Sequence, residues 1–499
     1  MKLSKTALPR IHTRGLTKPD DDTFNYPVKI IQFGTGVLLR GLIDYLIDKA
    51  NRNGFFSGRI LVVKSTASGD KTAFDEQDNL YTLWTRGIED GKHIEEKTIC
   101  AAISQVISAV DHWDEVLRQI LNPELKIIIS NTTEIGIQLA EEDIHQSPPA
   151  SYPAKLLALL YKRYIAFNGS IDAGFVIIPT ELIPDNGVVL KAIILQLIRF
   201  NKLPGEFEKW INEANYFCSS LVDRIVPGRP EDAVVKTFES EAGYSDKLLT
   251  VSEVYRLWAI SGNEKIKTLL GFGMTDKGII ITPDIAMYRE LKLRLLNGTH
   301  TLCCALAFLS GFKTVNEAMD DPAFLGFARR LMSEISAAIP YQLDSAAAAA
   351  FSEQVLDRFR NPYIRHQWIN ITQQFTTKLR MRVLPVLLEY YRINNKAPVE
   401  ITKGFAAFIA FMRPLKVVDG TYRGEFNQND YPIADDKAVR FFELRKNGNP
   451  AELITDILKD ETLWGADLSL LPGFADTVQE FYGQITTGAI SILLANGDR

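Results

Sequence analysis

Pro27-Val-Lys-Ile-Ile-Gln-Phe33 runs straight into Gly34-Thr35-Gly36, and Val37-Leu38-Leu39-Arg40 follows. The run up to Phe33 is short, apolar and ended by glycine, which marks a buried strand. From Val37 to about Lys49, the residues Leu38, Leu39, Leu42, Leu46 and Ile47 fall on one helical face. Glycine between strand and helix lets the backbone approach a ligand, and the helix N-terminus adds unpaired N–H groups and a positive dipole. Gly34-x-Gly36 is thus where the pyrophosphate of a dinucleotide would sit, with a tight turn that binds nothing as the alternative. The pattern departs from the usual G-x-G-x-x-G, because its third position is Leu39 and the next glycine is Gly41.

Outward from this turn, Arg59-Ile-Leu-Val-Val-Lys64 reads as a second strand and completes a β-turn-α-β unit. Its end carries Lys64 where an acidic residue would meet the ribose hydroxyls. A basic residue there can accept a 2′-phosphate, so NAD and NADP both stay open on these residues. Alternation continues with a helix at Asp114 to Leu121, a strand at Lys126 to Ser130 and a helix from about Ala154 to Phe167. A strand at Gly174 to Pro179 and a helix at Val188 to Phe200 come next. This predicts an α/β class with a doubly wound, mostly parallel sheet covered on both faces. Tyr81 to Arg86 and Thr98 to Ile107 look extended, as an excursion on the sheet edge. Gly278 to Thr282 is the last strand expected.

From Asp284 onward the pattern is helical almost throughout. It includes Met287 to Ser310, a segment opened by the capping box Thr314-x-x-Glu317, the Ala346 to Ala350 run, and Thr402 to Met412. The expected division is a polar N-terminal tail over 1–26, a dinucleotide-binding domain over 27–283 and a mainly α-helical substrate and catalytic domain over 284–499.

The chain has 499 residues, too many for one ordinary domain, and its 46% hydrophobic and 23% charged content suits a globular protein with sizeable cores. A net charge of −5 argues against nucleic-acid binding, which requires a basic surface. Met1 to Tyr26 lacks the apolar segment of a secretory signal, and the run Phe405 to Met412 is too short to span a bilayer, so no membrane partner is expected. Cys100, Cys218, Cys303 and Cys304 do not make a disulfide framework in so long a chain, and a reducing cytoplasm follows. No obligate protein partner is evident.

A second stretch carries chemistry: Glu290-Leu-Lys292-Leu-Arg-Leu-Leu-Asn297-Gly-Thr-His300, with the spacing K-x4-N-x2-H. On an α-helix Asn297 lies about 140° and His300 about 80° around from Lys292. One side of the helix would then present an amine, an amide and an imidazole, a set suited to proton removal from an alcohol. A solvated polar stripe is the alternative. At the end of the Lys126 to Ser130 strand, Asn131 and Thr132 open Asn131-Thr-Thr-Glu134 and can contact ribose or nicotinamide; a polar turn is the alternative. His300 and Cys304 are four apart, but zinc needs further ligands and none accompany them, so Cys303 and Cys304 read as packed small residues and no metal is expected. Cations available to an anionic substrate are Arg224 and the group Arg365, Lys378, Arg380 and Arg382, of which one or two are expected to face a site.

These stretches together resemble the mannitol dehydrogenase family of long-chain polyol dehydrogenases. The resemblance rests on Ile30-Ile-Gln-Phe-Gly-Thr-Gly36 with Leu39-Arg40, Ser130-Asn-Thr-Thr-Glu134, Ser151-Tyr-Pro-Ala-Lys155 and Pro179-Thr-Glu-Leu-Ile183. To these add Asn215-Tyr-Phe-Cys-Ser-Ser-Leu-Val-Asp-Arg-Ile-Val226, Leu296-Asn-Gly-Thr-His-Thr301 and Arg358-Phe-Arg-Asn-Pro-Tyr-Ile-Arg-His366. It implies a metal-independent oxidoreductase with a Rossmann-type N-terminal domain, NAD as cofactor, and Lys292, Asn297 and His300 as catalytic residues. Cofactor contacts are implied at Phe33, Gly34, Thr35, Gly36, Val37, Leu38, Arg40, Lys64, Asn131 and Thr132, and substrate contacts at Asp223, Arg224 and Lys378. Polyol-active members carry an asparagine in a Cys-Asp-Asn stretch where this chain has Thr180-Glu181-Leu182, and an arginine where it has Asn370. These departures weaken a mannitol reading. The resemblance implies a small sugar acid as substrate, with reversible reduction of D-tagaturonate to D-altronate in galacturonate breakdown as the reaction. Fructuronate, mannitol or a sugar phosphate are the nearer alternatives, and a non-catalytic sugar-acid or nucleotide binder the distant one.

Overall fold

The structure, a computed structural model, describes residues 1–66, 71–132, 136–449 and 451–495. The chain divides into two compact units: Met1–Gly87 with His93–Ile285, and Ile88–Lys92 with the chain from Ala286 onward.

In the first unit parallel strands lie in the order Ile103–Ser108, Arg59–Lys64, Val28–Phe33, Ile127–Ser130, Val176–Pro179, Tyr216–Phe217. Counted along the chain this is 3-2-1-4-5-6, the order of dinucleotide-binding sheets, whose winding reverses between the Val28–Phe33 and Ile127–Ser130 strands. Ile31 and Phe33 join Leu61, Val63 and Ile128 against Tyr152, Leu156 and Leu190 on one face. Ile30 joins Ile60, Val62, Ile127 and Ile129 against Leu39, Leu42 and Leu46 on the other. Both faces are covered, which is why these strands read as unbroken apolar runs. Each such Leu or Ile contributes about 1.5–3 kcal/mol relative to exposure.

The segment expected as a polar tail is instead part of the first unit. Leu3, Ala7, Leu8 and Ile11 are buried with Trp84, Ile99, Phe238 and Tyr244, and Leu16–Thr17 pairs in parallel with Lys97 and Thr98. Few apolar residues in a polar background suffice when their partners come from distant sequence. Tyr81–Glu89 and Lys92–Cys100 also differ from expectation. They form a separate sheet with Leu16–Thr17 and Thr250–Ser252, while Ile103–Ser108 is the outermost strand of the main sheet.

The second unit is built around the helices Thr299–Leu309 and Val399–Phe411, both buried almost throughout. The apolar run at Phe405 lies in this core, and no helix among the described residues is long and apolar enough to cross a membrane. Thr314 and Glu317 form the expected capping box. A meander of Lys416–Val418, Thr421–Phe426 and Asn429–Pro432 interrupts the expected helices. Its turns are Asp419-Gly420 and Asn427-Gln428, all at positive φ, the conformation of two-residue hairpins. The flanking strands are short and charged, so their period is faint and the Asp-Gly pair is the one readable signal.

Gly404 is where the two central helices meet: a Cβ there would lie 2.8 Å from Leu302 Cβ and 2.9 Å from the Leu302 carbonyl oxygen. Gly404→Val should therefore cost about 1–3 kcal/mol through overpacking, read as a lowered Tm with helical content retained. A Tm equal to that of the parent would show that the helices separate freely at this point.

Candidate active site

The glycine turn of the first unit sits at the reversal of the sheet. Asn131 N–H donates to Phe33 O at 3.0 Å and Gly34 N–H to Val63 O at 3.1 Å, so the turn is tied to both neighbouring strands. Gly34 has φ +124°, and a Cβ on it would stand 2.8 Å from Asn131 O and 3.0 Å from Leu39 Cδ1. Only glycine fits. Gly36 differs: it caps the following helix in extended backbone, and a Cβ there would meet nothing within 4 Å. Open space therefore lies in front of the first N–H groups of the helix, at Val37 and Leu38, which a helix cannot satisfy internally. Arg40 holds the turn from behind, its Nη1 donating to Thr35 O at 2.7 Å.

This helix is not regular. Arg40–Asp44 is a π-turn between Val37–Leu39 and Tyr45–Arg52, with hydrogen bonds from i to i+5. Its carbonyls take extra donors: Tyr81 OH donates to Arg40 O at 2.7 Å, and Arg224 Nη1 donates to Gly41 O. Arg224 also donates to Glu253 O at 2.9 Å and Thr85 Oγ1 at 3.2 Å, and its guanidinium stacks over Tyr45. Burial lowers its pKa to about 10. Arg224, expected at the substrate, is buried here and braces the backbone of the Arg40–Asp44 turn and of Glu253. Asp223, beside it, is buried at the end of the Ser220–Asp223 strand. Gly41 allows close packing here, since a Cβ would lie 2.6 Å from Val226 Cγ1. Beneath the turn Gln32 Nε2 reaches Asp44 Oδ2 at 3.5 Å, and burial pushes the Asp44 carboxyl up to about 7 against the field of Arg40. Neither Gln32 nor Asp44 was singled out by sequence; a polar residue in each of two apolar faces was the signal.

Lys64 Nζ donates to Thr66 O at 2.6 Å. Across the sheet, Asn131 Nδ2 donates to Thr180 O at 3.1 Å and Thr180 Oγ1 at 3.0 Å. Glu181 holds the neighbouring loop, accepting from Ser130 Oγ at 3.2 Å, Thr132 N–H at 2.8 Å and Thr132 Oγ1 at 2.9 Å. Thr180 and Glu181 thus brace the strand end, while Leu182 is exposed. Thr133 and Glu134 lie outside the described residues.

In the second unit the K-x4-N-x2-H stretch is π-helical over Leu291–Gly298 and becomes α-helical at Thr299–Leu309. This revises the expected angles. With i to i+5 hydrogen bonds, residues five apart come nearly into line, so Lys292 and Asn297 share a face that an α-helix would have split. His300, three residues beyond Asn297, follows on the adjoining α-turn. All three are half-buried, while Leu291, Leu295, Leu296 and Thr299 are buried behind them. His300 lies flat on Phe359, with centroids 4.1 Å apart, and edge-on to His366 and Trp368. Burial, then the fields of His366, Arg358, Arg382 and Lys378, hold its pKa well below the usual histidine value. It is a neutral imidazole, and its Nε2 is buried with no hydrogen-bond partner. An unmet buried polar atom costs about 1–3 kcal/mol, a cost that a bound oxygen would remove.

Cys303 and Cys304 are buried and free, with thiols pushed up by burial. Among the described residues no group of His, Cys, Asp or Glu is placed to hold a metal. The helix Phe375–Arg382 brings Lys378 and Arg382, half-buried, toward His300, whereas Arg365, Asn370 and Arg380 are exposed. Lys378 Nζ donates to Ile371 O at 3.1 Å. Arg294, within the motif, clamps this helix by donating to Met381 O at 2.6 Å and Arg382 O at 3.0 Å. Sequence reading passed over Arg294 as one more basic residue.

Comparison with known proteins agrees with this architecture. Residues 28–270 match the mannitol dehydrogenase Rossmann domain and residues 284–486 the mannitol dehydrogenase C-terminal domain. The altronate oxidoreductase of Yersinia enterocolitica is 36% identical over 474 residues, covering 93% of this chain and 96% of that protein. The altronate oxidoreductase of Halalkalibacterium halodurans is 36% identical over 468 residues, covering 91% of this chain and 90% of that one. Among solved structures, the Pseudomonas fluorescens mannitol 2-dehydrogenase ternary complex with NAD and D-mannitol has a TM-score of 0.68 at 22% identity, covering 99% of both chains. A D-sorbitol dehydrogenase in substrate-free form has a TM-score of 0.77 at 18% identity, covering 99% of this chain and 100% of that one. At those identities the structural likeness speaks to fold alone, but the two matched domains span nearly the whole sequence, and the chain belongs to the mannitol dehydrogenase family.

Proposed function

We propose that this chain is an NAD-dependent oxidoreductase that interconverts D-altronate and D-tagaturonate. The observation that carries the reading is the likeness to altronate oxidoreductases along almost the full chain, at 36% identity. The half-buried Lys292–Asn297–His300 face supports it on physical grounds. The substrate is a small sugar acid. Free cysteines suit the reducing cytoplasm in which this reading sets the enzyme.

The glycine turn fits a dinucleotide. Gly34 and Gly36 give close approach, the helix N-terminus gives N–H groups and dipole to a pyrophosphate, and Asn131 and Thr132 lie at the strand end where ribose and nicotinamide bind in such sheets. NAD held at this turn would supply the hydride acceptor for alcohol oxidation and, reduced, the hydride donor for the ketone. The chain's own residues manage the proton. In oxidation, the neutral amine of Lys292 takes the hydroxyl proton; in reduction its ammonium returns that proton to the oxygen. Asn297 Nδ2 and the N–H of neutral His300 donate to the same oxygen as negative charge gathers on it, and losing one such donor typically slows a reaction by about 10²–10³-fold. A neutral histidine suits this role, because it can donate without competing with Lys292 for the proton. Lys378 is the nearest candidate from sequence for the substrate carboxylate. Its pKa is lowered, first by burial and then by Arg382.

Gly36→Val should abolish NADH binding, measured by fluorescence titration, while leaving circular dichroism and Tm unchanged. Its extended backbone admits a β-branched residue and its Cβ has open space, so only the ligand would be displaced. Undiminished NADH affinity would remove the cofactor from this turn, and a clear kinetic preference for NADPH would overturn the choice of NAD.

Lys292→Ala should retain NADH affinity yet lose at least about 10²–10⁴-fold in kcat for tagaturonate reduction, the usual worth of a positioned proton donor. Added methylamine should restore part of the rate. A near-normal kcat without amine would mean that the proton comes from another group, with His300 the next to test.

A further inference from the structure

We infer that Arg382, seconded by Lys378, reads the substrate's carboxylate, so that this pair selects a sugar acid over a neutral polyol. The inference rests on the sugar-acid reading above and adds to it the group that enforces it.

Arg382 is fixed on the same turn that carries the oxygen-binding donors. Its Nη1 donates to Thr301 Oγ1 at 3.2 Å, and Thr301 Oγ1 donates to Asn297 O at 2.7 Å. Thr301 is the residue after His300 and is itself buried. The Arg382 carbonyl is held by Arg294, which also accepts no freedom from below because its Nε is tied to Glu290 Oε2 at 2.9 Å. Arg382 is therefore held both at its backbone carbonyl and at its guanidinium. The guanidinium has five N–H donors, and among the described residues it donates to Thr301 Oγ1 alone.

Charge balance is the second argument. Lys378 and Arg382 are four apart on one helix, on the face turned to His300, and like charges so placed repel. Arg382 feels burial and, against it, only the Cys304 thiol; Lys378 feels burial, Arg382 and Cys304, with Asp435 last. Among the described residues no carboxylate lies within ion-pair distance of either. Burial first, and then the neighbouring cations, lower the pKa of both His300 and His366. Two half-buried cations with no carboxylate in ion-pair contact are stabilised by an incoming anion, and a carboxylate meets a guanidinium through two parallel hydrogen bonds that an ammonium cannot reproduce. A neutral polyol at the same place would displace water from two cations and return no counter-charge. The pocket thus discriminates by what it leaves unpaired.

Binding to the NADH-loaded protein tests this without turnover, using D-gluconate and its neutral counterpart sorbitol in isothermal titration calorimetry. The parent protein should favour gluconate by at least about 10-fold. Arg382→Met should lose about 10–100-fold in gluconate affinity and bring the gluconate-to-sorbitol ratio close to one. Arg382→Lys, which keeps the charge and loses the fork, should fall between them, and it serves if the methionine variant fails to fold. Lys378→Met should show a smaller loss of the ratio. A ratio unchanged in both Arg382 variants, an equal loss for the two ligands, or a parent protein indifferent to the carboxylate would each overturn the inference and leave Arg382 as a prop for Thr301. Failure of the parent protein to reduce tagaturonate, with the gluconate preference intact, would instead remove the proposed substrate and keep the carboxylate pocket.

Discussion

An α-helix turns too tightly to bring residues five apart onto one line, and the face that carries Lys292 and Asn297 depends on a segment that turns more widely. Over Leu291–Gly298 the hydrogen bonds run from i to i+5, and Lys292 comes into register with Asn297. Such a turn is less favourable than the α-form and persists where the surroundings hold it. Arg294 supplies part of that hold, joining the widened turn to the last carbonyls of the Phe375–Arg382 helix and to Glu290. The same side chain therefore joins the widened turn to the helix that carries Lys378 and Arg382.

The helix after the glycine turn uses the same device. Its π-turn at Arg40–Asp44 exposes carbonyls that Tyr81 and Arg224 satisfy from the side. Gly41 lets Val226 approach and close the packing behind. Arg224 is a buried cation whose charge is met by two backbone carbonyls, the Thr85 hydroxyl and an aromatic face. Arg382 shows the opposite balance, with one neutral partner and no acid. Counting partners separates the two where residue type does not.

Low-dielectric surroundings set the chemistry at His300. Stacked on Phe359 and edge-on to Trp368, the imidazole has little water to stabilise a charge, and the neighbouring cations oppose protonation further. The result is an imidazole held in place by aromatic packing, with its Nε2 unmet. Its position is decided by packing of the Thr299–Leu309 helix into the core, where Gly404 allows the Val399–Phe411 helix to approach closely.

Much of this was legible in the chain itself. Unbroken apolar strands ending in glycine, followed by apolar helical faces, specify a parallel sheet covered on both sides, because a strand buried on two faces has no alternation to show. The same reading located Gly34, Gly36, Asn131 and the Lys292–His300 stretch, since strand ends and helix starts are local features. What it could not supply is long-range. Leu3 and Ile11 are buried by Phe238 and Tyr244, more than two hundred residues away. The π-turn leaves no trace in an apolar period, because helical periodicity assumes the very turn angle that tertiary packing altered. Whether an arginine braces backbone carbonyls, as Arg224 does, or holds a single hydroxyl beside His300, as Arg382 does, depends on partners that only folding brings within hydrogen-bond reach.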